Sequence, residues 1–281
     1  MHALLTPRFA RGAAAALVLL SAATLASAGT PPRNERGFPL LRVFRSEDFK
    51  AGTQNFSLTQ DARGLLHFGN LAGLLTYDGA WWSLLELPGK PAVLSVTIGS
   101  GGRIGIGSIN QFGYAAPAAS GELVFHSLLP LLSPPERQLL GDIRGVCADG
   151  DGFLFASERL LLAWDGGRRL RIAADYRTAP GMRRCFASGG RMYLAGSDGL
   201  QQLGGPTSFA GRTVDVLTPR GIVAVRGEGL FTLDGQPYAP AVSQWLRDKT
   251  VAAITELPHD ELAILTTEDG LAIVDGTGTL V

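Results

Sequence analysis

The sequence predicts an all-β chain folded as a β-propeller of four-stranded blades, and three observations carry that reading. Glycine is abundant, at 37 of 281 residues or about 13%, against about 7% in an average protein, and it shows no Gly-X-Y period. Short apolar runs of strand length are bounded by Gly, Asp, Asn and Pro. The same strand plan returns about every forty residues, the spacing of one four-stranded blade.

The clearest copy runs from Asn55 to Leu87. NFSLTQD leads through a turn to LLHFGN, a Gly-Leu step opens LLTYDG, and AWWSLLEL completes the blade. The last copy, Val251 to Val281, reads VAAITEL, LAILTTED and GLAIVDG. Arg220 to Gly235 and Gly189 to Gly205 repeat the second and third strands. The end of the third strand is marked by Asp78, position 118, Asp165, Gly204, Asp234 and Asp275. That makes six visible repeats, so the ring has six blades or an incomplete seven. The Asp-Gly pairs supply the positive φ that tight hairpin turns need. Two stretches read as short helices, Pro134 to Leu140 and Val242 to Lys249.

Residues 1–28 read as a secretory signal peptide. Arg8 and Arg11 precede an apolar run from Ala13 to Leu25, followed by the small-residue site Ala26-Ser27-Ala28. At about 14 residues that run is short for a membrane span of about 20. Residues 29–54 form an N-terminal segment in which Leu41 to Phe44 is a candidate ring-closing strand. Residues 55–281 hold the repeats. With 25 basic and 25 acidic residues the chain is formally neutral, which argues against nucleic acid as a partner. Hydrophobic residues at 46% and charged residues at 18% exclude wholesale disorder. Two cysteines and four histidines support neither a disulfide scaffold nor a Cys/His zinc set.

The first two copies resemble the two-component regulator propellers, sensor regions of bacterial receptors. The first matches at Gln54, Asn55, Gln60, Asp61, Gly64, Asn70, Gly73, Tyr77, Asp78, Gly79 and Trp82. The second matches at Gly102, Ile104, Gly107, Ser108, Phe112, Gly113, Tyr114, Gly121, Ser127 and Leu128. The chain departs from the family pattern at Phe56, where Trp is usual, and at Gln111, where Glu is common. The resemblance is specific over Asn55 to Leu128 and loose but periodic beyond. It implies a periplasmic sensor module of a Gram-negative bacterium, lacking its membrane and output domains in this chain. It also implies a downstream kinase or cyclase as signalling partner and the option of a homodimer. The alternatives are a secreted propeller enzyme of the lyase or lactonase type and a protein-binding scaffold.

In a four-stranded blade the loop between the second and third strands opens on one face near the axis. Asn70, Asn110, Gln111, Glu158, Asp198, Glu228 and Glu268 fall on those loops. They read either as a weakly acidic funnel for a sugar, an amine or a cation, or as solvated turn residues. Asp61, Gly64, Tyr77, Asp78, Gly79, Trp82, Phe112, Gly113 and Tyr114 read as structural motif positions. Trp81 and Trp82 point to opposite sides of a strand, and Trp82 is the one expected to pack. No nucleophile elbow, metal-ligand spacing or cofactor motif is present, so no catalytic residue, metal or cofactor is assigned. The expected ligand is a small molecule, with a carbohydrate among the candidates. Cys147 and Cys185 occupy equivalent positions in neighbouring blades. A bridge between them is chemically possible in an oxidising compartment, but such positions often exceed the roughly 7 Å Cα limit, which favours two buried thiols.

Overall fold

The computed structural model describes residues 42–281, so the predicted signal peptide lies outside the described residues. The chain builds six antiparallel sheets in sequence order. Blade one holds β1 to β4, Asn55–Gln60, Leu66–Asn70, Gly73–Tyr77 and Trp82–Leu85. Blade two holds β5 to β8, Val93–Ile98, Ile104–Ser108, Gln111–Pro117 and Leu123–Ser127. Blade three holds β9 to β12, Ile143–Asp149, Gly152–Ser157, Leu160–Trp164 and Leu170–Asp175. Blade four holds β13 to β16, Arg184–Ser188, Arg191–Gly196, Gly199–Gln202 and Thr207–Ser208. Blade five holds β17 to β20, Val214–Leu217, Ile222–Val225, Gly229–Thr232 and Pro237–Tyr238. Blade six holds β21 to β23, Val251–Glu256, Leu262–Thr266 and Gly270–Val274. Its fourth strand is reduced to a bridge from Leu280 to Val274 and a bond from the Val281 amide to the Ile273 carbonyl. The six-copy propeller read from the repeats is the observed architecture.

The Asp landmarks work as side-chain turn caps. Asp78 Oδ1 accepts the Ala80 and Trp81 amides at 2.9 and 2.6 Å. Asp165 does the same for Gly167 and Arg169, and Asp275 for Thr277 and Thr279. Each satisfies amides that the hairpin turn leaves over, which is why Asp recurs there. Three short helices punctuate the ring: α1 (Ser46–Phe49), α2 (Pro134–Leu139) and α3 (Pro240–Trp245). Helix α2 falls within the expected Pro134 to Leu140, and a capping box of Ser133 with Glu136 starts it. Helix α3 starts two residues before the expected Val242, because Pro240 fits the first helical turn.

Neighbouring blades pack through their inner strands, β1 beside β5, β5 beside β9, β9 beside β13, β13 beside β17 and β17 beside β21. Much of the glycine is explained at these junctions. A Cβ on Gly105 would stand 2.7 Å from the Phe153 ring, and one on Gly107 would stand 2.6 Å from the Ile143 side chain. Blade two therefore surrenders two side chains so that Phe153 and Ile143, both fully buried, can enter the core shared with Phe112, Phe155 and Trp164. On the outer side of that junction Tyr114 stacks on His126 and Trp164 at 4.8 Å. Arg103 lies over both the Tyr114 and Trp164 rings and donates to the Gly166 carbonyl at 2.9 Å. The Gly-Leu step has a different cause. Gly73 sits at φ +144, and a Cβ there would meet the Leu85 carbonyl oxygen of the outer strand at 2.4 Å.

Two expectations are corrected. Residues 42–54 contain no strand; they contain α1, and Phe44 packs on Tyr77 and Trp82 of blade one rather than on blade six. Blade six takes its outer pairing from its own chain at Leu280, and its sheet face turned away from blade five leaves Leu265 and Leu271 exposed. The two cysteines form a disulfide, with the Cα atoms 5.9 Å apart. The inner strands converge enough for equivalent positions to meet: Gly145, two residues before Cys147, is so close to blade four that a Cβ would lie 2.9 Å from the Cys185 amide. Trp82 packs among Phe44, Phe49, Phe68 and Tyr77, whereas Trp81 is 78% exposed.

The bridge staples blades three and four across a sequence separation of 38 residues. Replacing both cysteines with serine should lower unfolding stability by roughly 4 kcal/mol on the chain-entropy account. Denaturant titration of the oxidised protein and the double variant measures this, and equal midpoints would contradict it.

Candidate functional site

The axial site is made by a repeated irregularity. In five blades the pairing of the first two strands skips one residue near the start of the inner strand, a β-bulge. The skipped residues are Phe56, Leu94, Arg144, Asp215 and Ala252. A bulge re-aims a side chain that would otherwise lie in the sheet's alternation, and here all five line cavities on the propeller axis. One cavity, of about 430 Å³, is bordered by the inner strands of blades one, two, three, four and six. A second, of about 340 Å³, lies among blades four, five and six. Met182, Arg184 and Ala252 line both.

The axial charges are mainly cationic. Asp215 is buried in β17 and receives Arg226 through Nη2 at 2.5 Å and Nε at 3.1 Å. Arg144 pairs with Asp142 at 2.9 Å. Arg184 has no carboxylate within ion-pair distance among the described residues; its Nη1 donates to the Ala252 carbonyl at 3.0 Å. Burial lowers the Arg184 pKa; Asp215 opposes that shift, and the positive charges of Arg144 and Arg226 add to it. Ser197, Thr213, Thr250 and Thr267 supply neutral polar groups around the second cavity. These axial residues escape the sequence reading, which looks to loops. The available signal is a charged residue within an otherwise apolar inner strand, as in IRGVCAD and VDVL.

Of the seven sequence-predicted site residues, Asn110, Glu158, Asp198, Glu228 and Glu268 lie in the connections between second and third strands and Asn70 and Gln111 at the strand ends flanking them, and none lines either axial cavity. Asn70 is fully buried and holds its own loop, bonding Gly52, Asn55 and Ala72. Asn110 adopts φ +51, and its amide donates to the Gly141 carbonyl. Gln111 Oε1 accepts Ser127 Oγ at 2.8 Å. Asp198 pairs with Arg183 at 2.9 Å, and Glu228 is gripped by Arg212 through Nε at 2.7 Å and Nη2. Glu268 accepts the Thr250 amide at 2.8 Å. The Glu158 carbonyl receives Arg183 Nη1 at 3.3 Å. Arg183 is itself buried, covers the Tyr176 ring at 3.8 Å and bonds the Ala179 and Gly181 carbonyls, so it ties the long connection between blades three and four. Asp198 and Glu228 thus face arginines and Glu268 an amide from adjoining loops, while the axis behind them is arginine-lined.

On the opposite side of blade one, Asp61 caps its turn through the Arg63 and Leu65 amides at 2.9 and 3.0 Å. Its Oδ2 lies 3.5 Å from Nε2 of His67, whose Nδ1 meets Thr76 Oγ1 at 3.0 Å. Burial alone would raise the Asp61 pKa, but the hydrogen bonds from Arg63 and Leu65 hold it at about 2. His67 is fully buried, and burial lowers its pKa despite the nearby Asp61.

The chain is thus a six-bladed propeller with an axial cavity pair. It is similar in fold to the extracellular domain of the BT3049 hybrid two-component system from B. thetaiotaomicron, with a TM-score of 0.62 and 17% identity over 85% of this chain and 36% of that one. The extracellular domain of BT4673 from the same organism gives 0.60 and 17% over 81% of this chain and 32% of that one. A catalytically inactive virginiamycin B lyase from Staphylococcus aureus, solved with quinupristin, gives 0.59 and 13% over 85% and 86%. The chain spans about a third of the length of the two extracellular domains. No protein-family model and no curated protein matches it. At these identities the likeness establishes the fold.

Asp61 and His67 contribute to the acid limb of stability, beside turn carboxylates such as Asp78, Asp165 and Asp275 whose pKa values their hydrogen bonds also lower. His67 binds a proton more readily unfolded than folded, so stability should fall as pH drops below about 6.5. Asp61, with its folded pKa depressed, adds stability that is present above about 4 and lost as pH falls toward about 2. Unfolding midpoints across that range should show both losses, and His67→Gln should flatten the limb between pH 6.5 and 5. An unchanged slope in that variant would refute the assignment.

Proposed function

We propose that this chain is an exported ligand-binding propeller of the sensor type, which takes a small molecule into its axial cavities. The carrying observation is that five inner strands bulge to aim one residue each at the same axis, where cavities of about 340 and 430 Å³ open. That is the size and placement of a small-molecule site, and the five aimed residues differ in chemistry while their backbone setting repeats. The blade-one and blade-two motifs, Asn55 to Trp82 and Gly102 to Leu128, support the sensor reading through their resemblance to receptor propellers. The fold likeness to extracellular domains of signalling systems points the same way, and the Cys147–Cys185 bridge suits an oxidising compartment. In this reading a membrane or output module comes from elsewhere in the receptor, and occupancy is passed on as a bias between arrangements of the propeller or its dimer.

In a thermal-shift screen of mono- and oligosaccharides, sugar acids and small metabolites, at least one compound should raise the unfolding midpoint, and Thr213→Val should diminish the rise. Silence across a broad screen, or a response unaltered by substitutions on the axis, would overturn the axial binding reading.

A further inference from the structure

The charge balance on the axis identifies the kind of ligand. Three arginines, Arg144, Arg184 and Arg226, converge there with two carboxylates, Asp142 and Asp215. Asp142 is spent on Arg144, and Asp215 is spent on Arg226. Glu268 reaches Arg226 from the rim, and its carboxylate accepts the Thr250 amide. It is not among the charges acting on Arg184, which feels Asp215, Arg144 and Arg226. Arg184 alone of the three makes no ion pair among the described residues; it is solvent-exposed where both cavities meet, donates to one backbone carbonyl and feels Asp215 only at longer range.

Such an arrangement leaves a guanidinium facing solvent in the cavity and available to an anion. The shape of guanidinium adds selectivity, because its planar fork matches a carboxylate through two parallel hydrogen bonds. The hydroxyls of Ser197, Thr213, Thr250 and Thr267 around the same cavity are donors and acceptors suited to a hydroxylated remainder. Phe56 and Leu94 add apolar wall beside Arg184 in the other cavity, together with the hydroxyls of Ser57 and Ser95.

We propose that the axial cavity binds a small monoanionic, hydroxylated ligand of the sugar-acid class, its carboxylate held by Arg184 and its hydroxyls read by the Ser and Thr side chains of blades four to six. This rests on the axial binding reading above and gives it a ligand chemistry. It sets arginines on the axis behind a rim on which Asp198, Glu228 and Glu268 already accept hydrogen bonds.

The test is calorimetry and thermal shift of residues 29–281 with D-glucuronate and D-galacturonate, against D-glucose and D-galactose as neutral counterparts and sulfate and acetate as simple anions. At least one uronate should bind, its neutral counterpart should bind at least about tenfold more weakly, and affinity should fall with added salt. Arg184→Gln should abolish uronate binding. Arg184→Lys, which keeps the charge but loses the fork, should weaken it by roughly tenfold or more. Arg177→Gln, which makes the same charge change on an exposed connection, should leave it unaltered. Because Arg184 stands among like charges, Arg184→Gln should leave the ligand-free unfolding midpoint unchanged or raised, so lost binding is separable from lost folding. Equal binding of uronate and neutral sugar, silence of both uronates, binding retained in Arg184→Gln, or a sulfate and acetate response equal to that of the uronates would overturn the proposal. A neutral sugar whose binding depends on Thr213 would overturn the sugar-acid assignment while leaving the axial sensor reading standing.

Discussion

Six sheets share one axis, and their inner strands must pass within side-chain reach of one another there. That crowding governs the rest of the structure. It explains why Gly105 and Gly107 face Ile143 and Phe153, where a single added carbon would collide. It explains why Gly145 lies against the backbone of blade four, and why Cys147 and Cys185 come near enough to bond. It also explains the bulges. A regular strand alternates its side chains between two neighbouring blades and has no direction left for the axis. Skipping one residue in the ladder creates that third direction.

The same constraint separates what the sequence discloses from what it conceals. Strand lengths, turn aspartates and the forty-residue spacing are local properties, and Asp78, Asp165 and Asp275 sit in the turns that their repetition implies. Convergence at the axis is a property of the assembled ring, so a 38-residue separation alone says nothing of a 5.9 Å Cα distance. The N-terminal segment misleads for a related reason. Phe44 belongs to an apolar run that fits a closing strand, but an aromatic platform of Tyr77 and Trp82 on blade one offers it a better surface. In the candidate site, the loops were legible and the charge pairings were not. Glu228 and Arg212 are 16 residues apart, and Asp198 and Arg183 are 15, in different connections of one blade. Only the register of the sheet brings each pair together.

Electrostatics divides the face into two layers. At the rim, carboxylates meet arginines across half-exposed surfaces, where an ion pair contributes about 1 kcal/mol or less. These pairs order the loops more than they stabilise the fold. Deeper in, Asp215 is buried and engages Arg226 with two guanidinium nitrogens. Removing either partner of such a pair costs more than the pair contributes, because the survivor is left without compensation. Asp215 therefore anchors Arg226 over the cavity, and Asp142 does the same for Arg144 nearer the surface.

Arg184 departs from this pattern. It heads the inner strand of blade four, which pairs without a bulge, and its exposed side chain fills no part of the core. The scaffold's own requirements are met elsewhere, by glycines at the junctions and aspartates in the turns. Arg184 is exposed where both cavities meet and makes no ion pair among the described residues, so water and the more distant Asp215 balance its charge. A cation that the fold does not enlist, set on a cavity wall, is the feature on which the proposed anion binding turns.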